Sequence, residues 1–204
     1  MSEGIVIELQ KQALDENTSL EVLLRKAYLV AKKLKLTDLE EWINQEQNGY
    51  NDNVPDYRYL GGEMKAWNPY HGWIPMILSA EMADIVSKRP LGNSIASIVD
   101  LYESSENSIV ISVNGKVTEV LNSLSGSFPT KYGFIVSKSE LYRVMSTVRN
   151  KILEWAILLE ENGIRGEGMT FTEEEKTKAN ATPIINNYTN NFYSNVKDIN
   201  MEQG

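Results

Sequence analysis

Few side chains here are of the kinds that make and break bonds, and those few gather around one short stretch. His71 is the only histidine in 204 residues, and there is no cysteine. A lone imidazole can still serve as a general base. A two-histidine zinc site cannot be built from it, and thiolate nucleophiles, thiolate metal sites and disulfides are excluded. His71 stands in Asn68-Pro69-Tyr70-His71-Gly72-Trp73-Ile74-Pro75, with Arg58, Glu63 and Lys65 shortly before it. Arg58, Glu63, Lys65, Asn68, Tyr70, His71 and Trp73 are therefore the candidate ligand-binding set, and His71 is the one candidate catalytic residue. Polar groups beside aromatic surface suit proton transfer or a ligand stacked on a ring. The plainer reading is structural: a rigid, packed, proline-rich loop in which His71 caps backbone groups and the tryptophans fill a core.

Other chemistries find little support. Gly61-Gly62 lacks the Gly-Lys-Ser/Thr ending of a phosphate loop. Leu124-Ser125-Gly126-Ser127 has only one of the glycines of a serine-hydrolase elbow. Glu40-Glu41 and Glu160-Glu161 read as solvated helix faces. No metal and no cofactor is expected.

The elements that must position the candidate set are mixed. Apolar residues at Leu20, Leu23, Ala27, Val30, Ala31 and Leu34 recur at helical spacing, and residues 5–14 precede them as another helix. Hydroxyl-to-carboxylate spacings at Thr18/Glu21, Thr37/Glu40 and Ser137/Glu140 predict capping boxes. The spacing of Leu141, Val144, Val148, Ile152, Trp155 and Leu159 predicts a long helix over 138–162. Residues 57–60 and 63–67 read as extended segments around a turn at Gly61-Gly62, making a hairpin. Residues 108–113 and 132–136 read as strands, 80–87 and 94–102 as helices, and 172–183 as a short polar helix. The fold class is therefore α+β: an N-terminal helical cluster, a small mostly antiparallel sheet, a long C-terminal helix and an extended tail. The expected organisation is one domain over 1–170, a short polar helix or linker over 171–183, and an asparagine-rich, β-forming tail over 184–204. Such a tail interleaves asparagine with β-branched and aromatic residues and cannot bury its faces alone, so pairing between copies, a homo-oligomer, is expected.

Composition narrows the setting. With 42% hydrophobic and 24% charged residues the chain is of ordinary globular character. A formal net charge of −8 repels phosphate backbones and argues against nucleic acid as a partner. No apolar run approaches the roughly 20 residues of a membrane span, and Met1-Ser2-Glu3-Gly4 lacks the start of a secretory signal. A cytoplasmic location with no membrane contact is expected.

The motif around His71 also carries a resemblance. Val54-Pro55-Asp56-Tyr57-Arg58 followed by residues 68–75, with residues 40–50 before them and 148–169 after, resembles the AbiTii domain of bacterial abortive-infection proteins. The similarity runs in order over residues 5–180. It implies a part in defence against phage and brings no catalytic residues with it. Three roles fit that setting: a self-associating binding or sensor module for a phage or host protein or a small-molecule signal, a toxin acting through the His71 loop, or a phage-encoded antagonist that sequesters a defence signal.

Overall fold

The computed structural model describes residues 3–51, 53–79, 82–83, 86–113, 115–125 and 129–182. The tail over 184–204 lies outside the described residues, as does part of the helix expected over 80–87. In chain order the elements are α1 (Ile5–Leu14), α2 (Leu20–Leu34), α3 (Thr37–Asn48), a 3-10 turn (Asp56–Arg58), β1 (Tyr59–Gly61), β2 (Glu63–Asn68), β3 (Gly72–Pro75), β4 (Lys88–Pro90), α4 (Ile95–Ser104), β5 (Ser108–Ser112), α5 (Gly115–Ser125), β6 (Tyr132–Ser137), α6 (Lys138–Glu161) and α7 (Glu173–Ala181). The α+β class expected from the sequence is the observed one. No helix among the described residues is long and apolar enough to cross a membrane.

The chain divides into two compact units, Met1–Arg58 with Gly92–Val99 and Arg143–Gly204, and Tyr59–Leu91 with Asp100–Tyr142. The first unit is helical. Its α2 buries Leu20, Leu23, Leu24, Ala27, Val30, Ala31 and Leu34, a stripe broad enough to be touched by α1, α3 and α7. Asn180 ties α7 down, its Nδ2 donating to Leu34 O at 2.7 Å. From α6, Val144, Val148, Ile152, Trp155, Ala156 and Leu159 are buried.

The helix starts differ from the sequence expectation in detail. At α2 the cap is Ser19, whose Oγ accepts from Val22 N at 3.2 Å, while Thr18 Oγ1 donates to Asp15 instead. At α3 the expected box does not form. Only Lys35, in the left-handed region at φ 61°, and Leu36 join α2 to α3, so Thr37 is already helical and Glu40 pairs with Lys32 at 2.7 Å. At α6 Ser137 Oγ does accept from Ser139 N, but Glu140 accepts from Gly61 N at 2.9 Å. A complete box is made by Thr172 and Glu175 at α7.

The second unit holds a four-stranded antiparallel sheet of order β3-β2-β6-β5 and a two-stranded ribbon of β1 and β4. The hairpin expected around Gly61-Gly62 is not made. Gly62 passes so close to β6 that a Cβ would lie 2.6 Å from Ile135 O, so the chain crosses over there rather than folding back. The hairpin joins β2 to β3 instead. Asn68 Oδ1 accepts from Tyr70 N at 2.9 Å and His71 N at 3.1 Å, and Gly72 takes φ +72°. The stretch 68–75 is thus an exposed turn followed by an edge strand, not a packed loop. Pro75 is tolerated because β3 is an edge.

Candidate functional site

Strand register decides which side chains of the second unit share a face. Trp67 pairs with Trp73, Lys65 with Pro75 and with Gly133, Glu63 with Ile135, and Ile135 with Val110. Directly opposed residues lie on the same side of a sheet. Met64, Phe134 and Val136 occupy the opposite, buried side. The outer side therefore presents Glu63, Lys65, Trp67, Trp73, Ile135 and Val110.

On that side the rings of Trp67 and Trp73 meet edge to face, with centroids 5.3 Å apart and planes at 75°, an arrangement the ring quadrupole favours. Trp67 is 36% exposed. Trp73 and Val110 converge over Gly133, where a Cβ would meet Val110 Cγ1 at 2.7 Å and Trp73 Cη2 at 2.9 Å. The missing side chain is what lets an indole lie down across β6. Lys131, just before β6, holds Nζ 4.5 Å from the Trp67 centroid and 5.9 Å from that of Trp73, within cation–π reach. It makes no ion pair among the described residues. Lys65 Nζ lies 3.5 Å from Glu63 Oε2. Thr130 Oγ1 donates to Trp67 O at 2.6 Å, fixing the approach of Lys131 to the rings. The result is an aromatic and aliphatic strip across four strands with two ammonium groups beside it.

Of the residues singled out from the sequence, Glu63, Lys65 and Trp73 come together on this face. Asn68, Tyr70 and His71 form the turn at its end, with Tyr70 91% exposed and His71 also exposed. Sequence reasoning missed Trp67, which it read only as the end of an extended segment, and also Lys131, Gly133 and Val110. The last three come from far along the chain, and only register reveals them.

Arg58 belongs to the first unit, where it is fully buried in a different constellation. Its Nη2 and Nε donate to the two carboxylate oxygens of Glu46, the latter at 3.3 Å. The Tyr57 and Tyr50 hydroxyls donate to Glu46 Oε1, Tyr50 at 2.6 Å, and Trp42 Nε1 donates to the Tyr57 hydroxyl at 2.9 Å. The guanidinium lies 5.0 Å above the Tyr50 ring centroid. Burial and then the Glu46 charge push the Tyr50 and Tyr57 hydroxyls well above the ordinary tyrosine range, so both stay donors. Burial opposes the charge on Arg58, but Glu46 outweighs it and the guanidinium is held more firmly protonated. Lys151, 5.5 Å from the Tyr57 ring centroid, is shifted down by burial, with Glu154 and Glu46 partly offsetting that. The cluster fastens the 3-10 turn to α3 through fully satisfied polar groups.

This cluster also accounts for the sequence blocks that carry the family resemblance. Trp42, Glu46 and Tyr50 come from the first block and Tyr57 and Arg58 from the second, while the third runs through α6 to Gly166, whose φ is +70°. The AbiTii family model matches residues 4–184 of the 204. The chain belongs to the AbiTii family. AbiTii membership associates it with abortive infection, the defence of bacteria against phage. No curated protein and no solved structure matches the chain.

Proposed function

We propose that this AbiTii protein acts in phage defence as a binding module, sensing a phage product or small signal on the Trp67–Trp73 face. The observation that carries the reading is the pair of indoles on the solvent side of the sheet, Trp73 lying over Gly133 and both rings flanked by Lys131. A planar ring laid against an indole gains about 1–3 kcal/mol. An ammonium group is a donor only, so its natural complement is an anion. The ligand class is therefore a planar ring carrying negative charge, the chemistry of a nucleotide. A net charge of −8 favours a ligand with a few phosphates over a long polyanion.

On the sequence alone, the same proposal has copies associating through residues 184–204. Light scattering on the chain with and without those residues tests that part, and an unchanged mass would dismiss it. The sensing role is tested by phage challenge of bacteria expressing the protein, its Trp67→Ala/Trp73→Ala variant, and Lys131→Gln. The variants should lose protection while retaining wild-type far-ultraviolet circular dichroism and cooperative melting. Full protection by the double tryptophan variant would overturn the reading.

A further inference from the structure

The second unit contains a cavity remote in character from the tryptophan face. It has a volume of about 240 Å³ and, among the described residues, is lined by Met64, Met76, Leu78, Met82, Val86, Val117 and Leu121 with the charged side chains of Arg89 and Lys116. Three methionines in so small a lining make it adaptable in shape. Water held against such a wall finds few polar partners, so an apolar occupant is favoured.

The two cations are arranged toward one kind of head group. Lys116 is the second residue of α5, whose first turn carries no acidic side chain. A helix N-terminus already bears positive partial charge, so a lysine there is disfavoured unless an anion sits beside it. Arg89 lies 5.7 Å above the Phe134 ring centroid. Neither Arg89 nor Lys116 pairs with a carboxylate among the described residues. In a chain of net charge −8, the charges that the described residues place around this apolar cavity are positive, and neither has an acidic partner among those residues.

We infer that this cavity binds an amphipathic anion, an aliphatic chain in the methionine-lined interior with a carboxylate or phosphate head held by Arg89 and Lys116. The inference stands apart from the tryptophan face, since either site can fail without the other. Titration calorimetry on the full chain, with decanoate and decyl phosphate below their micelle concentrations, tests it. The controls are decyltrimethylammonium, the Arg89→Gln/Lys116→Gln variant and a Leu121→Trp variant that fills the cavity. Both anions should bind one to one, and the cation should not. The double glutamine variant should weaken the anions by roughly tenfold, the scale of a lost charge-assisted contact. Leu121→Trp should abolish uptake, and a fold check by circular dichroism accompanies it. Because the glutamine variant changes only exposed or half-exposed groups, it keeps the test decisive if the tryptophan variant misfolds. Absence of heat with either anion, equal binding of cation and anion, or unchanged affinity in the glutamine variant would overturn the inference. Partition onto phosphatidylglycerol vesicles without stoichiometric uptake of free decanoate would also overturn it, by placing the anion chemistry at a membrane surface.

Discussion

Replacing Arg58 by methionine should destabilise the first unit severely, and the geometry indicates how much. Glu46 would lose both guanidinium donors and keep the hydroxyls of Tyr50 and Tyr57, leaving a carboxylate in a site with no exposed surface. Breaking a buried ion pair on one side costs about 3–5 kcal/mol, against a total stability of about 5–15 kcal/mol for a domain. Glu46→Leu alone strands the guanidinium and should cost as much. The Glu46→Leu/Arg58→Met double variant removes both charges but leaves the Tyr50 and Tyr57 hydroxyls without the carboxylate that accepts their protons. Its cost should be about 2–6 kcal/mol, about 1–3 for each orphaned hydroxyl, and below the sum of about 6–10 kcal/mol for the two singles. Urea unfolding followed by tryptophan fluorescence measures all four proteins and the coupling between the sites. A single-variant cost below about 1 kcal/mol, or strictly additive effects, would refute the reasoning.

Two further outcomes follow from the same geometry. Gly133→Ala should cost about 1–3 kcal/mol by overpacking, because its methyl would press on Val110 and Trp73; loss of near-ultraviolet circular dichroism from the displaced indole pair would accompany the shift in urea midpoint. The Glu175 carboxyl is only lightly buried; burial raises its pKa, but the backbone N–H groups of Gly166, Thr172 and Arg165 outweigh this and hold it below its ordinary value of 4.5. With a folded pKa below the unfolded one, its contribution is full above about pH 4.5 and disappears as pH falls through the folded value. Glu175→Gln should therefore flatten the acid side of the stability profile in that window, as urea midpoints against pH would show.

The parts of the fold that could be read from sequence were those with strong periodicity. The stripe of α2, the long run of α6, and β5 and β6 emerge where apolar spacing placed them, within a residue or two. Capping was less legible because Ser19, one residue after Thr18, is the extended residue that caps α2, and because the tight α2–α3 corner makes Thr37 helical. Local spacing cannot encode such choices. Neither can it encode partners: β1 reads as the first arm of a hairpin, yet it pairs with β4 some thirty residues on. The passage of the chain out of the first unit at Tyr59 and back at Gly92 and Arg143 has no composition signal, since α4 and α6 each contain a boundary. For the candidate face, the motif around His71 put Trp73 in plain sight, while Trp67 reaches it through a β2–β3 hairpin that was not expected. The residues that shape it, Gly133 beneath the ring and Lys131 beside it, depended on which strand became the neighbour of β2. His71 drew attention by being alone of its kind, and the structure places it at the exposed tip of the turn.

Titration of the full chain with the four ribonucleoside 5′-monophosphates, followed by intrinsic fluorescence, tests the proposed binding face most directly. Trp42 and Trp155 are buried, so quenching reports Trp67 and Trp73. Saturable one-to-one quenching is expected, weakened roughly 5- to 150-fold by Trp73→Ala, the equivalent of about 1–3 kcal/mol of stacking. Equal affinity in the wild type and the Trp67→Ala/Trp73→Ala variant by calorimetry, or no binding of any of the four, would contradict the account.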